Sequence, residues 1–138
     1  MQLFFSGGGK MNMELELELE LPPSVNHCYA NIKIQGHRSR VLTREASDWK
    51  YAAALVAKVA VRNQGWTMPA ADCKVVLELV AYWPDRRRRD MNNLHKLLCD
   101  ALEGVVYLDD KMVLARDMDF FYDKRSPRVR VKIYPKEE

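Results

Sequence analysis

Residues 84–104 read PDRRRRDMNNLHKLLCDALEG, a basic loop that leads into an amphipathic helix. The predicted helix runs from about Asp90 to Glu103, and Gly104 is a signal for its C-terminal end. Apolar residues recur within it at intervals of three and four positions, which places them on the one face of a helix that packs against another layer. These apolar positions are Met91, Leu94, Leu97, Leu98, Ala101 and Leu102.

The segments on either side of this stretch predict that the other layer is a β-sheet. Residues 13–21 alternate Glu with Leu, which is the period of a strand with one face in water. Residues 73–83 predict a second strand that ends at Pro84. Residues 112–122 and 128–134 are predicted to form two further strands, paired antiparallel through a turn at 123–127.

The part of the chain between the first two strands predicts a loop and a second helix. Residues 24–40 are polar and rich in turn signals, with a short hairpin predicted about Gly36. Thr43 is the predicted N-cap of a helix that ends near Asn63, with Ala, Leu and Val on its buried stripe. The order β-α-β-α-β-β predicts an α/β (α+β) fold, in which two helices pack on a mixed sheet in one small domain.

Length and composition limit the class of protein. The chain has 138 residues, of which 48% are hydrophobic and 30% charged, and these values are typical of one globular domain rather than a disordered chain. We expect residues 1–12, which include three consecutive glycines, to be a non-native or disordered leader before a domain at 13–138. No apolar run reaches the length of about 20 residues that a membrane-spanning helix needs. The three cysteines, Cys28, Cys73 and Cys99, have neither disulfide-framework nor zinc-ligand spacing, which favours a reduced, cytoplasmic compartment.

The arginine run is the strongest charge feature of the chain. Residues 84–96 carry five cationic and two anionic side chains, so this segment holds as much net charge as the whole protein, +3. Guanidinium groups bind phosphate oxygens in bidentate geometry, so Arg86, Arg87, Arg88 and Arg89 are candidate contacts to nucleic-acid phosphates. The alternative is an ordinary solvated surface run.

Several acidic and polar residues beside this run can carry chemistry. Asp90 at the helix start is either an N-cap or a metal ligand. Asn92 and Lys96 are i, i+4 neighbours and therefore share a helix face. Asp109 and Asp110 end a short apolar run and are either a turn or part of a Mg²⁺ site, because Mg²⁺ prefers carboxylate oxygens.

Three motifs in this order resemble the RusA family of Holliday junction resolvases. PDRRRRDMNNLHK at 84–96 resembles the family's PDRRRRDxDNLxK. The later DAL at 100–102 and LDD at 108–110 resemble its DAL and LDD segments, and PPSVNHCY at 22–29 resembles its PPSxNxxY opening.

The resemblance implies a homodimeric, Mg²⁺-dependent endonuclease that resolves four-way DNA junctions by paired symmetric nicks in recombination and repair. By position it makes Asp90 and Asp110 the essential metal-binding acids and Lys96 the catalytic lysine, with Arg86 to Arg89 and Lys96 on the DNA. It also implies a bacterial or phage-encoded, nucleoid-associated protein.

The chain departs from the family pattern at Asn92, where the family has an acid. An amide oxygen can ligate Mg²⁺ but brings no charge. Three alternatives remain open: Asp109 supplies the missing charge, the chain binds junctions without cutting them, or Mn²⁺ replaces Mg²⁺. A further alternative is an RNA- or protein-binding module without a metal.

Overall fold

The computed structural model describes residues 13–23 and 29–137. The predicted leader at 1–12 lies outside the described residues, as does the middle of the PPSVNHCY segment with Asn26, His27 and Cys28. None of the described helices is long and apolar enough to cross a membrane. The elements in chain order are β1 (Leu15–Leu19), β2 (Tyr29–Ile34), β3 (His37–Leu42), α1 (Arg44–Gln64), β4 (Val75–Trp83), α2 (Asn92–Leu102), a 3₁₀ turn (Asp110–Met112), β5 (Val113–Tyr122) and β6 (Arg128–Pro135).

Four strands form one mixed sheet in the order β1-β6-β4-β5. β5 runs parallel to β4, whereas β6 runs antiparallel to both β4 and β1. The predicted mixed sheet with two helices is therefore confirmed.

The predicted direct pairing of residues 112–122 with 128–134 is wrong, because β4 lies between β5 and β6. The first three residues of β4 and every second residue after them are buried, a pattern that suits a central strand better than an edge strand. Residues 123–127 span two strand spacings, about 10 Å, and five residues reach that far easily.

The core lies on one face of this sheet. β1 has the burial alternation that its Glu-Leu repeat predicts, and alternate residues of β6 and β4 are buried beside it. The helices cover this face, so strand and helix side chains form one cluster. Its members include Leu15, Leu17, Leu77, Leu79, Ala53, Ala57, Leu94, Leu98, Val131 and Ile133.

Helix α1 starts and stops where its capping residues predict. The Thr43 hydroxyl accepts a hydrogen bond from the Ala46 amide at 3.2 Å, and Gly65 closes the helix in the left-handed conformation at φ 69°. The predicted buried stripe is only partly correct, because the fully buried positions are alanines, whereas Val56 and Val59 are exposed. Small side chains let the helix lie close to β1 and α2.

A two-stranded sheet of β2 and β3 confirms the predicted hairpin about Gly36. Gln35 and Gly36 both have positive φ, 50° and 83°. Positive φ at both positions is typical of the tight two-residue turn whose twist matches that of the flanking strands, and glycine adopts this conformation without steric cost.

Helix α2 buries the stripe that its spacing predicts except for Met91, which precedes the helix and is only partly buried. The buried members are Leu94, Leu97, Leu98, Ala101 and Leu102. The helix begins two residues after the predicted start, at Asn92, and ends at Leu102. Gly104 follows at φ 83° and turns the chain toward Val106 and Tyr107, which are buried beneath the helix end. The helix thus lies along the sheet with its polar face outward.

Candidate active site

The arginine loop is closed by an internal ion pair. One Nη of Arg89 lies 2.7 Å from Oδ1 of Asp85 and also donates to the Asp85 carbonyl oxygen at 3.1 Å. The Arg89 guanidinium, together with the Arg87 amide that donates to the same carboxylate, lowers the pKa of Asp85. Arg87 and Arg88 are exposed. Arg89 therefore shapes the loop, while its neighbours are available to phosphates.

The arginine loop and the start of the PPSVNHCY segment together line a cleft of about 510 Å³. Pro22 and Pro23 form one wall, and Arg87, Arg88 and Asp90 belong to the other. Two motifs that are some 60 residues apart in the sequence thus meet at one surface.

Asp90 lies just before α2 and has part of an N-cap's role. Its Oδ1 accepts a hydrogen bond from the Asn92 amide at 3.0 Å, although the residue at the N-cap position itself is Met91. One carboxylate oxygen of Asp90 therefore makes a capping hydrogen bond at the start of α2. Both Asp90 and Asn92 are exposed, which leaves their remaining oxygens accessible to a ligand.

The polar face of α2 carries its functional groups in one row. Asn92, Lys96, Asp100 and Glu103 follow one another at intervals of four, four and three residues, which places them along one side of a helix. Lys96 is exposed at the middle of this row.

An acidic cluster lies where this row ends. Carboxylate oxygens of Asp100, Glu103 and Asp110 lie within 4.8 Å of one another. The Asp110 amide donates to Oε2 of Glu103 at 2.8 Å, and Lys50 of α1 pairs with Oδ2 of Asp100 at 2.8 Å. Three oxygen donors so close together are a donor set of the kind that Mg²⁺ prefers.

Electrostatics at the cluster favour a cation. Local desolvation, and then the negative charges of Glu103, Asp100 and Asp109, raise the pKa of Asp110. A raised carboxyl pKa means that the ionised form is held at a cost in free energy, and a bound cation would remove that cost.

The structure brings Asp110 together with Asp100 and Glu103, and not with Asp90. Asp90 lies two residues before the start of α2, and the eight residues from Asn92 to Asp100 correspond to about 12 Å along the helix axis. Asp109 is half-buried and caps the 3₁₀ turn, with Oδ1 accepting from the Lys111 amide at 3.0 Å.

Sequence reasoning did not assign Asp100 and Glu103 to a site. Their helical spacing from Lys96 was the signal that could have found them, since it places all three on one face.

A histidine–aspartate pair lies beside the row. His95 Nε2 is 2.6 Å from Oδ1 of Asp117 on β5, and both side chains are largely covered. The pair joins α2 to the sheet, so it helps to fix the orientation of the helix that carries Lys96.

Comparison with known proteins identifies the family. The family model for Endodeoxyribonuclease RusA matches residues 20–134. The chain is 33% identical over 94 residues to the crossover junction endodeoxyribonuclease RusA of Escherichia coli strain K12, an alignment that covers 67% of this chain and 71% of that protein. It is 32% identical over 94 residues, with the same shares, to the proteins of that name from Enterobacteria phage 82 and Shigella sonnei. The chain belongs to the RusA family of endodeoxyribonucleases.

Proposed function

We propose that this nuclease resolves four-way DNA junctions by metal-dependent hydrolysis of two symmetrically placed phosphodiesters. The outer face of α2 is the observation that carries the proposal. It joins the exposed arginines at the start of the helix to the carboxylate cluster at its end, with Lys96 between them. Relatives named crossover junction endodeoxyribonucleases support the choice of DNA substrate.

Asp100, Glu103 and Asp110 would hold Mg²⁺, and Mn²⁺ is the alternative ion. The ion would polarise a phosphate oxygen and lower the pKa of a bound water. Glu103 also holds the Asp110 backbone through its amide at 2.8 Å, which keeps the loop that bears Asp110 beside the helix.

Asp90 and Asn92 form a second pair of oxygen donors at the opposite end of α2. Their assignment as ligands, like that of Asp109, is a proposal from the family motif. About 12 Å of helix separates Asn92 from Asp100, so one chain would use the two ends of α2 for different contacts. Tb³⁺ luminescence tests this division, because Asp110→Asn should abolish ion binding at the cluster and Asp90→Asn should leave it.

Lys96 would stabilise the charge that develops on the phosphate or the leaving oxygen. Its place in the same row as the acidic residues puts an ammonium group on the surface that the DNA backbone would cross. Arg86, Arg87 and Arg88 would hold flanking phosphates, and such contacts position DNA without reading its bases. The shape of the junction, rather than its base sequence, would then decide which DNA the protein binds.

A homodimer suits this substrate. A four-way junction has approximate two-fold symmetry, and a two-fold dimer presents two identical sites to it. Paired nicks follow if each protomer cuts one strand.

A second candidate function rests on Asn92, namely a protein that binds junctions but is impaired in cutting them. The amide lowers the negative charge at the start of α2 by one relative to the family pattern.

One experiment separates the two candidates. A labelled synthetic four-way junction is incubated with the protein in Mg²⁺, Mn²⁺ or EDTA, beside Asn92→Asp. Paired nicks by the unaltered chain support the resolvase. Tight binding without nicks, restored to cutting by Asn92→Asp, supports the impaired binder. Failure to prefer the junction over duplex contradicts both.

A further inference from the structure

The central sheet ends in exposed aromatic rings directly beside the arginine loop. Phe120, Phe121 and Tyr122, the last three residues of β5, are 49%, 46% and 44% exposed. We call these three residues the aromatic tip. Large exposed apolar side chains that lie next to one another on a protein surface are typical of a contact site.

The rings of the aromatic tip are ordered by contacts with one another and with Tyr82 of β4. Tyr82 and Phe121 stack with centroids 5.4 Å apart, and Phe120 and Tyr122 meet edge to face at 6.0 Å. The Asp123 amide donates to the Trp83 carbonyl oxygen at 2.7 Å, which holds the two strand ends together. The rings are therefore positioned before any partner arrives.

The register of β4 and β5 places these rings on both faces of the sheet. Phe120 and Tyr122 lie opposite Ala81 and Trp83, on the face that the helices cover elsewhere, whereas Phe121 lies opposite Tyr82 on the other face. The end of the sheet is thus a thin aromatic edge and not a flat patch.

The charge around the aromatic tip indicates which class of molecule binds there. Residues 82–89 and 120–128 carry seven cationic and two anionic side chains, a net charge of +5, while the whole chain carries +3. A second copy of the chain would bring two such fields together, which is repulsive. A partner that is polyanionic and also has flat rings to stack is a nucleic acid.

Arg86 connects the aromatic tip to the proposed phosphate contacts. Its guanidinium lies over one face of the Tyr122 ring, 4.4 Å from the centroid, so a cation and an exposed aromatic ring adjoin on the same surface. A strand whose phosphates lie on the arginine loop would pass its bases next to the rings.

We propose that the aromatic tip stacks on base faces exposed at the branch point of the junction, while the arginine loop holds the adjoining phosphates. This inference rests on the proposed function. Inside a duplex both faces of every base are covered by neighbouring pairs, so aromatic side chains gain stacking only where the stack is interrupted. The aromatic tip would therefore distinguish branched DNA from duplex, which the arginines alone cannot do.

The test compares the double variant Phe120→Leu/Tyr122→Leu with Tyr51→Leu. Leucine keeps an apolar side chain in β5 and removes the ring. Tyr51 on α1, 69% exposed, is the matched loss of an exposed ring away from the sheet end. Thermal melts establish that each variant is folded, and light scattering gives its oligomeric state. Affinities are measured for a four-way junction and for a duplex with the same arm sequences, in EDTA and at one salt concentration.

We expect the double variant to bind the junction about tenfold more weakly or worse and the duplex unchanged, with Tyr51→Leu like the unaltered chain. We also expect 5-iodouracil at the branch point, but not within an arm, to photo-crosslink to residues 120–122.

Three results would overturn the inference. Unchanged junction preference in the double variant contradicts the stacking role and leaves the proposed function intact. Loss of junction binding together with a change from dimer to monomer assigns the aromatic tip to a second copy of the chain. An unaltered chain that binds junction and duplex equally contradicts the proposed function, and the inference with it.

Discussion

Replacing Arg87 and Arg88 by alanine tests whether the arginine loop contacts DNA phosphates. Both side chains are exposed, whereas Arg89 is engaged with Asp85 at 2.7 Å and Arg86 lies over an aromatic ring. The double substitution therefore removes two cations without breaking the contacts that shape the loop. Its effect should appear in DNA binding and not in stability.

The size of the effect follows from counterion release. Each phosphate contact adds about 0.9 to the slope of log affinity against log salt, so two contacts add about 1.8 per protomer. Raising the salt from 50 to 200 mM should then weaken DNA binding by the unaltered chain about 12-fold more than it weakens binding by the double variant, counted per protomer. Because the contacts do not read bases, this difference should be the same for junction and duplex.

The assay is a fluorescence anisotropy titration in EDTA at four salt concentrations. Lys58→Ala/Arg62→Ala on α1 is the matched control, since it removes two exposed cations far along the sequence from the loop. The reasoning is refuted if the loop variant keeps the salt slope of the unaltered chain, or if the control lowers the slope equally.

Further predictions concern catalysis, metal and stability. Lys96→Ala should abolish junction cutting and leave junction binding intact, as seen on native and denaturing gels of the same reactions; equal loss of both would contradict a catalytic role. Asp110→Asn should remove the rise in melting temperature that Mg²⁺ produces, since one of three clustered carboxylates is lost; a rise equal to that of the unaltered chain would argue against a metal at the cluster. Leu98→Ala should lower the free energy of unfolding by about 2–5 kcal/mol in urea, because the Leu98 side chain is fully buried in the core beneath α2. The pKa of Asp85 is lowered in the folded protein, so its pair with Arg89 stabilises the fold above the unfolded pKa, and this stabilisation is lost as pH falls through the lower folded pKa. Arg89→Ala should therefore lose less stability than the unaltered chain on acidification from pH 5 to 3. Parallel curves of stability against pH would show that the pair contributes nothing.

Local spacing was enough to predict most of the helices and strands. The Glu-Leu repeat predicted β1 with its buried leucines, and Thr43 predicted the start of α1. These features depend on side chains only a few residues apart, so the pattern and the structure share one physical cause. The buried stripe of α1 was predicted less well, because amphipathic spacing does not say whether Ala53 or Val59 faces the core.

The candidate site was predictable in part. The arginine run and Asp90 were visible as a motif, and the RusA resemblance was confirmed by the family match. The partners of Asp110 were not visible, because Asp100 and Glu103 approach it only when the chain after α2 turns back at Gly104.

By itself the sequence determined the family, the existence and type of the main elements, and the charged loop before α2. Only the tertiary structure decided that β4 separates β5 from β6, that Asp110 lies with Asp100 and Glu103, and that Arg86 lies over the Tyr122 ring. The physical reason is the range of the interactions. Periodicity and capping act within a few residues, whereas strand order and side-chain clusters depend on contacts between segments that are distant in the chain and meet only in the folded protein.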